Sequence, residues 1–183
     1  MWKLEAGDMF SRLGRPNEMV IVTANASVKV NGELVMGRGA AKTATTLIPG
    51  LAKECGRWVK DAGEFYGFLP VFDDLGLFQV KHHWFDRADI SLIGKSCLSL
   101  AEYMREFPVL TYNLNFPGVG NGGMSVMEVV PVLDWFFSRM GSGLRVWVQL
   151  GEEKSVVAQI ERTRKARGRK KTSQAQAGSQ QLG

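Results

Sequence analysis

Two glycine-rich stretches have backbones able to hold an anion. The first follows the apolar run Val20–Val22 and reads Thr23-Ala24-Asn25, then Met36-Gly37-Arg38-Gly39-Ala40-Ala41. The second follows the run Val109 to Leu114 and reads Phe116-Pro117-Gly118-Val119-Gly120-Asn121-Gly122-Gly123-Met124-Ser125. Each sits between an apolar run and a segment of helical period, where bare N–H groups and a helix N-terminus favour negative charge. If the two strands are parallel neighbours, both loops leave from carboxyl ends and face one another across a crevice that suits two linked phosphates. A single glycine-rich turn is more often turn punctuation, and two at equivalent places shift the balance toward a ligand. Neither stretch has the spacing of a P-loop or of G-x-G-x-x-G, which disfavours a Walker nucleotidase and a standard dinucleotide dehydrogenase.

Alternating apolar runs and helix-period segments through the first 150 residues predict an α/β layer architecture. Val20–Val22 and Val109–Tyr112 read as central strands buried on both faces. The runs 64–69 and 77–82 lie between turn formers and read as a hairpin. From Leu144 to Leu150 the apolar residues alternate, the pattern of a one-faced strand near a sheet edge. Gly39 to Ala62 reads as two short helices broken at Pro49-Gly50. Ser91–Arg105 and Ser125–Met140 carry apolar faces at helical spacing, and Ser125 with Glu128 forms a capping box. Trp135, Phe136 and Phe137 in the latter read as core and core edge.

Charge divides the chain unevenly. Arg162 to Lys171 holds seven of the 23 basic residues and no acid, and the remaining 16 basic and 18 acidic residues leave the body near neutral. Thr172 to Gly183 is Ser, Gln, Ala and Gly without hydrophobic period, so 161–183 is expected to be a basic, disordered tail on a 1–160 domain. Such a cluster suits nucleic acid, or only solubility. The N-terminus lacks a signal-like apolar stretch and no long apolar run occurs, so a cytoplasmic protein without membrane contact is expected. Cys55 and Cys97, far apart, are read as reduced thiols.

The residues resemble the macro domain family, which binds ADP-ribose. Gly7-Asp8-Met9-Phe10 is similar to its Gly-Asp-Ile/Leu segment, and Val20 to Asn25 to the family's strand ending in Ala-Asn. Met36 to Lys42 resembles the first loop of the terminal ADP-ribose glycohydrolases and of antitoxins that remove ADP-ribose from DNA; Pro117 to Gly123 resembles the second phosphate loop. The likeness covers residues 7 to about 150, with the motifs in the family's order. It implies a three-layer α/β/α fold around a central mixed sheet, no cofactor, and ADP-ribose or an ADP-ribosylated macromolecule as partner. Asp8, beside Met9, would accept from the adenine amine, and Asn25 would meet the distal ribose. Gly37, Arg38, Gly39 and Ala40 would hold one phosphate. Gly118, Val119, Gly120, Asn121, Gly122, Gly123 and Met124 would hold the other. Asp8 as a helix cap and Asn25 as a turn support remain open alternatives.

Departures bear on catalysis. Where the subgroup's nucleophilic Lys and assisting Asp are expected, this chain has Thr45 and Met124. Lys42, nearby on the helix, is read either as a substitute amine or as a solvated lysine. Asn25 and Asn31 are the other catalytic candidates, Asn31 or Glu33 orienting a water for cleavage of a glycosidic ester or a terminal phosphate. Adjacent His82 and His83 should point to opposite faces of a strand, so no metal site is expected.

Overall fold

The computed structural model describes residues 1–141 and 143–180, with side chains through Arg169. Six strands form one sheet: β1 (Lys3–Ala6), β2 (Glu18–Ala24), β3 (Phe68–Phe72), β4 (Leu75–Gln79), β5 (Thr111–Asn115) and β6 (Leu144–Val148). Their order is β1-β6-β5-β2-β4-β3. Every neighbouring pair is parallel except β3 with β4, so the sheet is mixed. Among the described residues five α-helices cover it: α1 (Gly39–Leu47), α2 (Leu51–Ala62), α3 (Ile90–Glu106), α4 (Val126–Phe137) and α5 (Glu153–Gln180).

Residue alternation along β2 explains why its run is apolar throughout. Met19 and Ile21 join a core with Ile93, Leu100, Val129 and Leu133 of α3 and α4. Val20 and Val22 point the other way, against Ala44, Leu51, Cys55 and Val59 of α1 and α2. A strand buried on both faces needs no polar positions. Because β2 continues into α1 on one face and β5 into α4 on the opposite face, while the two strands pair directly, their carboxyl ends form a topological switch point. Pairing between them ends at Ile21 and Leu114. Beyond it Asn115 takes over, accepting from Thr23 N at 2.8 Å and donating to Thr23 Oγ1 at 2.8 Å.

The two short helices meet at Ile48–Gly50, as the Pro-Gly break requires, and Ser125 caps α4 in a complete capping box with Glu128. Four expectations shift. β6 is interior, because Lys3–Ala6 forms a short edge strand beside it that four residues with two charges do not announce. The hairpin's strands close in on a turn at Asp73-Asp74, as Phe68–Phe72 and Leu75–Gln79 in place of 64–69 and 77–82, and Pro70 is accommodated because β3 is an edge. β5 begins at Thr111, leaving Val109 75% exposed in the preceding turn. Trp135 is 76% exposed rather than core.

The tail also differs. Residues 161–169 continue α5, with Ile160 and Thr163 buried and Arg164 paired to Asp134 of α4. Once its first turns are docked, a segment rich in Arg, Lys, Ala and Gln propagates helix without any apolar face of its own. The side chains of Lys170 and Lys171, and residues 181–183, lie outside the described residues. No described helix is long and apolar enough to cross a membrane.

Candidate functional site

A cleft of about 1170 Å³ opens over the carboxyl ends of β2, β4, β5 and β6. Its middle is built by the two glycine stretches. Gly39 starts α1 with φ +56°, and a Cβ there would meet Asn121 Nδ2 at 2.9 Å, so the loops touch across the crevice. The α1 N-cap, Arg38, makes no side-chain cap bond, leaving the leading amides of α1 uncapped by side chain. Gly118, φ +70°, is pressed against α3: a Cβ would come within 2.8 Å of Ile93 Cδ1 and 3.1 Å of Met124 Sδ. Gly120, φ +73°, instead opens on empty space. The sequence groups Gly123 and Met124 with this loop, but Met124 is buried in the core and the Gly123 carbonyl accepts from Arg87 Nε at 3.1 Å; neither lines the cleft.

At one end lie Asp8, Met9, Phe10 and Trp147, with Glu152 just before α5 and Val156 in its first turn. Asp8 caps the 3₁₀ turn Met9–Arg12, its Oδ1 accepting from Phe10 N at 2.9 Å, and is exposed to the cleft as well. The cap reading of Asp8 is the one its hydrogen bond shows, and its place in the lining leaves the other carboxylate oxygen toward the cleft. Trp147 is fixed from behind: its Nε1 donates to Asn113 Oδ1 at 3.1 Å and the Arg12 guanidinium stacks 5.5 Å from its ring centre.

Asn25, Lys42, Lys81, Trp84, Phe85 and Asp86 surround the other end. Asn25 is buried, with Oδ1 accepting from Ser27 N and Nδ2 donating to Val35 O, each at 2.8 Å. It therefore ties down the loop entrance and retains one N–H and one lone pair. Lys42 is exposed at the cleft rim; Thr45 turns its hydroxyl onto the Lys42 carbonyl and lies outside the lining.

Asn31 and Glu33 are displaced from the cleft. The loop between Val28 and Leu34 folds back over α2, where Leu34 N donates to Ala52 O at 2.8 Å and Lys53 Nζ donates to the Asn31 carbonyl. Asn31 Oδ1 receives Glu33 N, and the Glu33 carboxyl, held below its ordinary range chiefly by Lys29 and Asn31, pairs with Lys29 at 2.9 Å. Neither residue lines the cleft, so neither orients water in it.

The sequence reasoning missed Lys81. Its Nζ donates to Asp86 O at 3.0 Å and Asn121 O at 3.4 Å, bridging the exit of β4 to the second glycine loop. Burial pushes this ammonium below the ordinary lysine value, with Asp86 opposing and Arg38 adding to the shift. Its position just past a central strand on the loop side was the available signal, masked by the more conspicuous His82 and His83 beside it. Those rings separate, His82 against Phe65 at 4.5 Å and His83 stacked on Phe85 at 5.5 Å. Among the described residues no group of three or more His, Cys, Asp or Glu is placed to hold a metal. Burial raises both thiols, Cys55 to about 12, so neither is a ready nucleophile.

No protein-family profile and no curated protein matches the chain. Solved structures do. Thermosipho africanus DarTG in complex with ADP-ribose aligns at TM-score 0.64 and 21% identity over 81% of this chain and 42% of its own, so this chain spans less than half of that protein. The macrodomain of Mycobacterium tuberculosis DarG aligns at 0.63 and 22%, covering 80% and 96%. A Trypanosoma brucei macrodomain in complex with ADP-ribose aligns at 0.58 and 12%, covering 88% and 68%. Agreement of this extent over a mixed sheet with helices on both faces gives the architecture: the chain has the macro domain fold, similar to that of the DarG macrodomains.

Proposed function

We propose that the cleft binds ADP-ribose and that the protein cleaves ADP-ribose from a macromolecule. The contact of Gly39 with Asn121, with Lys81 held against the same loop, carries this reading. The pyrophosphate lies between Gly37–Ala40 and Gly118–Gly122, where uncapped amides, Arg38 and Lys81 supply donors and positive charge. The adenine extends toward Asp8, whose second carboxylate oxygen accepts from an exocyclic amine, and stacks among Phe10, Trp147 and Val156. The distal ribose reaches Asn25, which offers its remaining donor and acceptor to the hydroxyl pair. Two fold neighbours solved with ADP-ribose bound support this choice of ligand.

Lys81 is the amine best placed for chemistry, because desolvation enlarges its neutral fraction while its carbonyl partners orient it. The neutral amine attacks the anomeric carbon, the bond to the target breaks as the leaving atom takes a proton, and water then releases ADP-ribose and regenerates the amine. Trp84 and Phe85, 53% and 69% exposed, flank this end and face whatever the ribose was attached to. Calorimetric titration with ADP-ribose, AMP and NAD tests binding, with ADP-ribose expected to be tightest and equal or absent heats ending the reading. Incubation with ADP-ribosylated protein, ADP-ribosylated DNA and ADP-ribose-1″-phosphate tests turnover. Release of ADP-ribose from one of the macromolecules is expected; no product from any of them leaves a binding module only.

A further inference from the structure

A second concavity, of about 500 Å³, lies on the α4–α5 face. Trp135, Ser138 and Arg139 wall it from the end of α4, and Arg164, Arg167 and Gly168 from the middle of α5. It is separate from the cleft: α5 contributes Val156 there and Arg164 here, about 12 Å further along the helix axis at 1.5 Å per residue. Trp135 is 76% exposed although the opposite side of its helix, at Val129, Val130 and Leu133, is fully buried. The exposed indole matters because it shares its groove with arginines, an aromatic face beside positive charge.

Charge says what. The groove's one carboxylate among the described residues, Asp134, is consumed internally: Arg164 grips both its oxygens at 3.0 and 2.7 Å, and Trp2 Nε1 donates to it at 3.0 Å. Arg164 itself stacks 5.2 Å from the Trp2 ring centre. What faces outward is Arg139, exposed, and Arg167, which spends one N–H on the Pro131 carbonyl at 3.2 Å. Exposed Arg162 and Lys165 extend the positive charge along the same helix, where residues 162–171 contain no acid. We infer that this groove binds single-stranded nucleic acid, one base stacked on Trp135 and the flanking phosphates on Arg139 and Arg167. A peptide of acidic residues alone would satisfy the arginines but brings no planar face to the indole. A duplex keeps its base faces covered. A single strand brings both an open base and regularly spaced anions.

The test is fluorescence anisotropy of a fluorescein-labelled dT12 with the full chain, beside a labelled oligoglutamate peptide of the same number of units. Saturable binding of dT12 is expected, weakening at least about sevenfold between 50 and 200 mM salt if two phosphates are engaged. Trp135→Ala should weaken it about tenfold and Trp135→Phe much less, as stacking demands. Arg139→Ala should shallow the salt dependence. ADP-ribose titration and the melting temperature of Trp135→Ala should match wild type, since Trp135 lies outside the cleft, and ADP-ribose should not displace dT12. Equal affinity for the oligoglutamate, wild-type dT12 binding by Trp135→Ala, displacement by ADP-ribose, or no saturable binding at the lower salt concentration would each overturn the inference. Apart from displacement by ADP-ribose, which would put both ligands at one site, none of these outcomes bears on whether the cleft binds ADP-ribose.

Discussion

Lys81 Nζ stands 3.4 Å from the carbonyl oxygen of Asn121, so the side chain leaving β4 is tethered to the glycine loop that follows β5. That tether joins the two strands flanking β2 and sets a basic group at the junction of the expected phosphate and distal ribose sites. Lys81→Ala should reduce ADP-ribose release by more than about 100-fold, the scale on which positioned proton-transfer and nucleophilic groups act. Lys81→Arg, charged at all accessible pH, should bind ADP-ribose and remain inactive. Single-turnover release assayed against pH should rise with pH toward an apparent pKa below the ordinary 10.5, because the reactive form is neutral and desolvation favours it. A wild-type rate in Lys81→Ala would remove the residue from the mechanism.

Gly39 and Asn121 offer a test of the phosphate cradle that does not touch chemistry. Gly39→Ala combines a left-handed φ of +56° with a Cβ 2.9 Å from Asn121 Nδ2. The left-handed penalty for an L-residue is about 1–2 kcal/mol, so Gly39→Ala should lose stability on that scale in urea unfolding, and ADP-ribose affinity should weaken in calorimetry as Asn121 swings away from the cradle. In Gly39→Ala with Asn121→Ala the steric conflict disappears and the backbone strain stays, so the double variant should recover part of the stability lost by Gly39→Ala alone. Full additivity of the two changes would mean the loops do not touch.

The displaced loop makes a separate prediction about stability. Gly56 sits on α2 directly beneath it, and a Cβ there would overlap the Gly32 carbonyl oxygen and come within 2.8 Å of Leu34 N. Gly56→Ala should destabilise by about 1–3 kcal/mol or more in urea unfolding, as overpacking against backbone cannot relax through a side chain. Unchanged stability would show that loop 28–34 does not rest on α2.

Which parts of this molecule could be read in advance follows from where the information lies. β2, α3 and α4 were legible because their periodicity is local, and Ser125 announces the helix that Val126 and Val129 continue, whereas the Asp89 cap of α3 emerged only in the structure. β1 was not, since Lys3–Ala6 becomes a strand only through pairing with β6, a partner some 140 positions away. The same division runs through the site. Glycines at strand ends are visible as composition, so Gly39 and Gly118 could be named. Lys81 could not, because nothing near it in sequence shows that β4 lies beside β2 and delivers it to the Asn121 loop. Asn31 failed for the opposite reason: its neighbours in sequence suggest the cleft, while Gly56 on α2 provides a resting place that draws the loop away.

Glu128 links acid stability to the second phosphate loop. Its carboxylate accepts from Ser125 N at 2.8 Å and Ser125 Oγ at 2.9 Å, completing the α4 capping box, and from Arg87 at 2.8 and 3.0 Å. Arg87 in turn donates to the Gly123 carbonyl, so the cap and the loop share one guanidinium. The Ser125 bonds first, and Arg87 second, hold the Glu128 carboxyl below its ordinary 4.5. A carboxyl whose pKa is lower folded than unfolded stabilises fully above about 4.5 and loses that contribution as pH falls through the folded value. Melting temperatures of wild type and Glu128→Gln should therefore differ by a constant amount at pH 6 to 8, roughly, and converge as pH falls below about 4. ADP-ribose affinity should weaken in Glu128→Gln as well, since Arg87, which donates to the Gly123 carbonyl, loses the carboxylate that anchors it. Parallel curves down to the lowest pH would mean that the carboxylate takes no part in holding the loop.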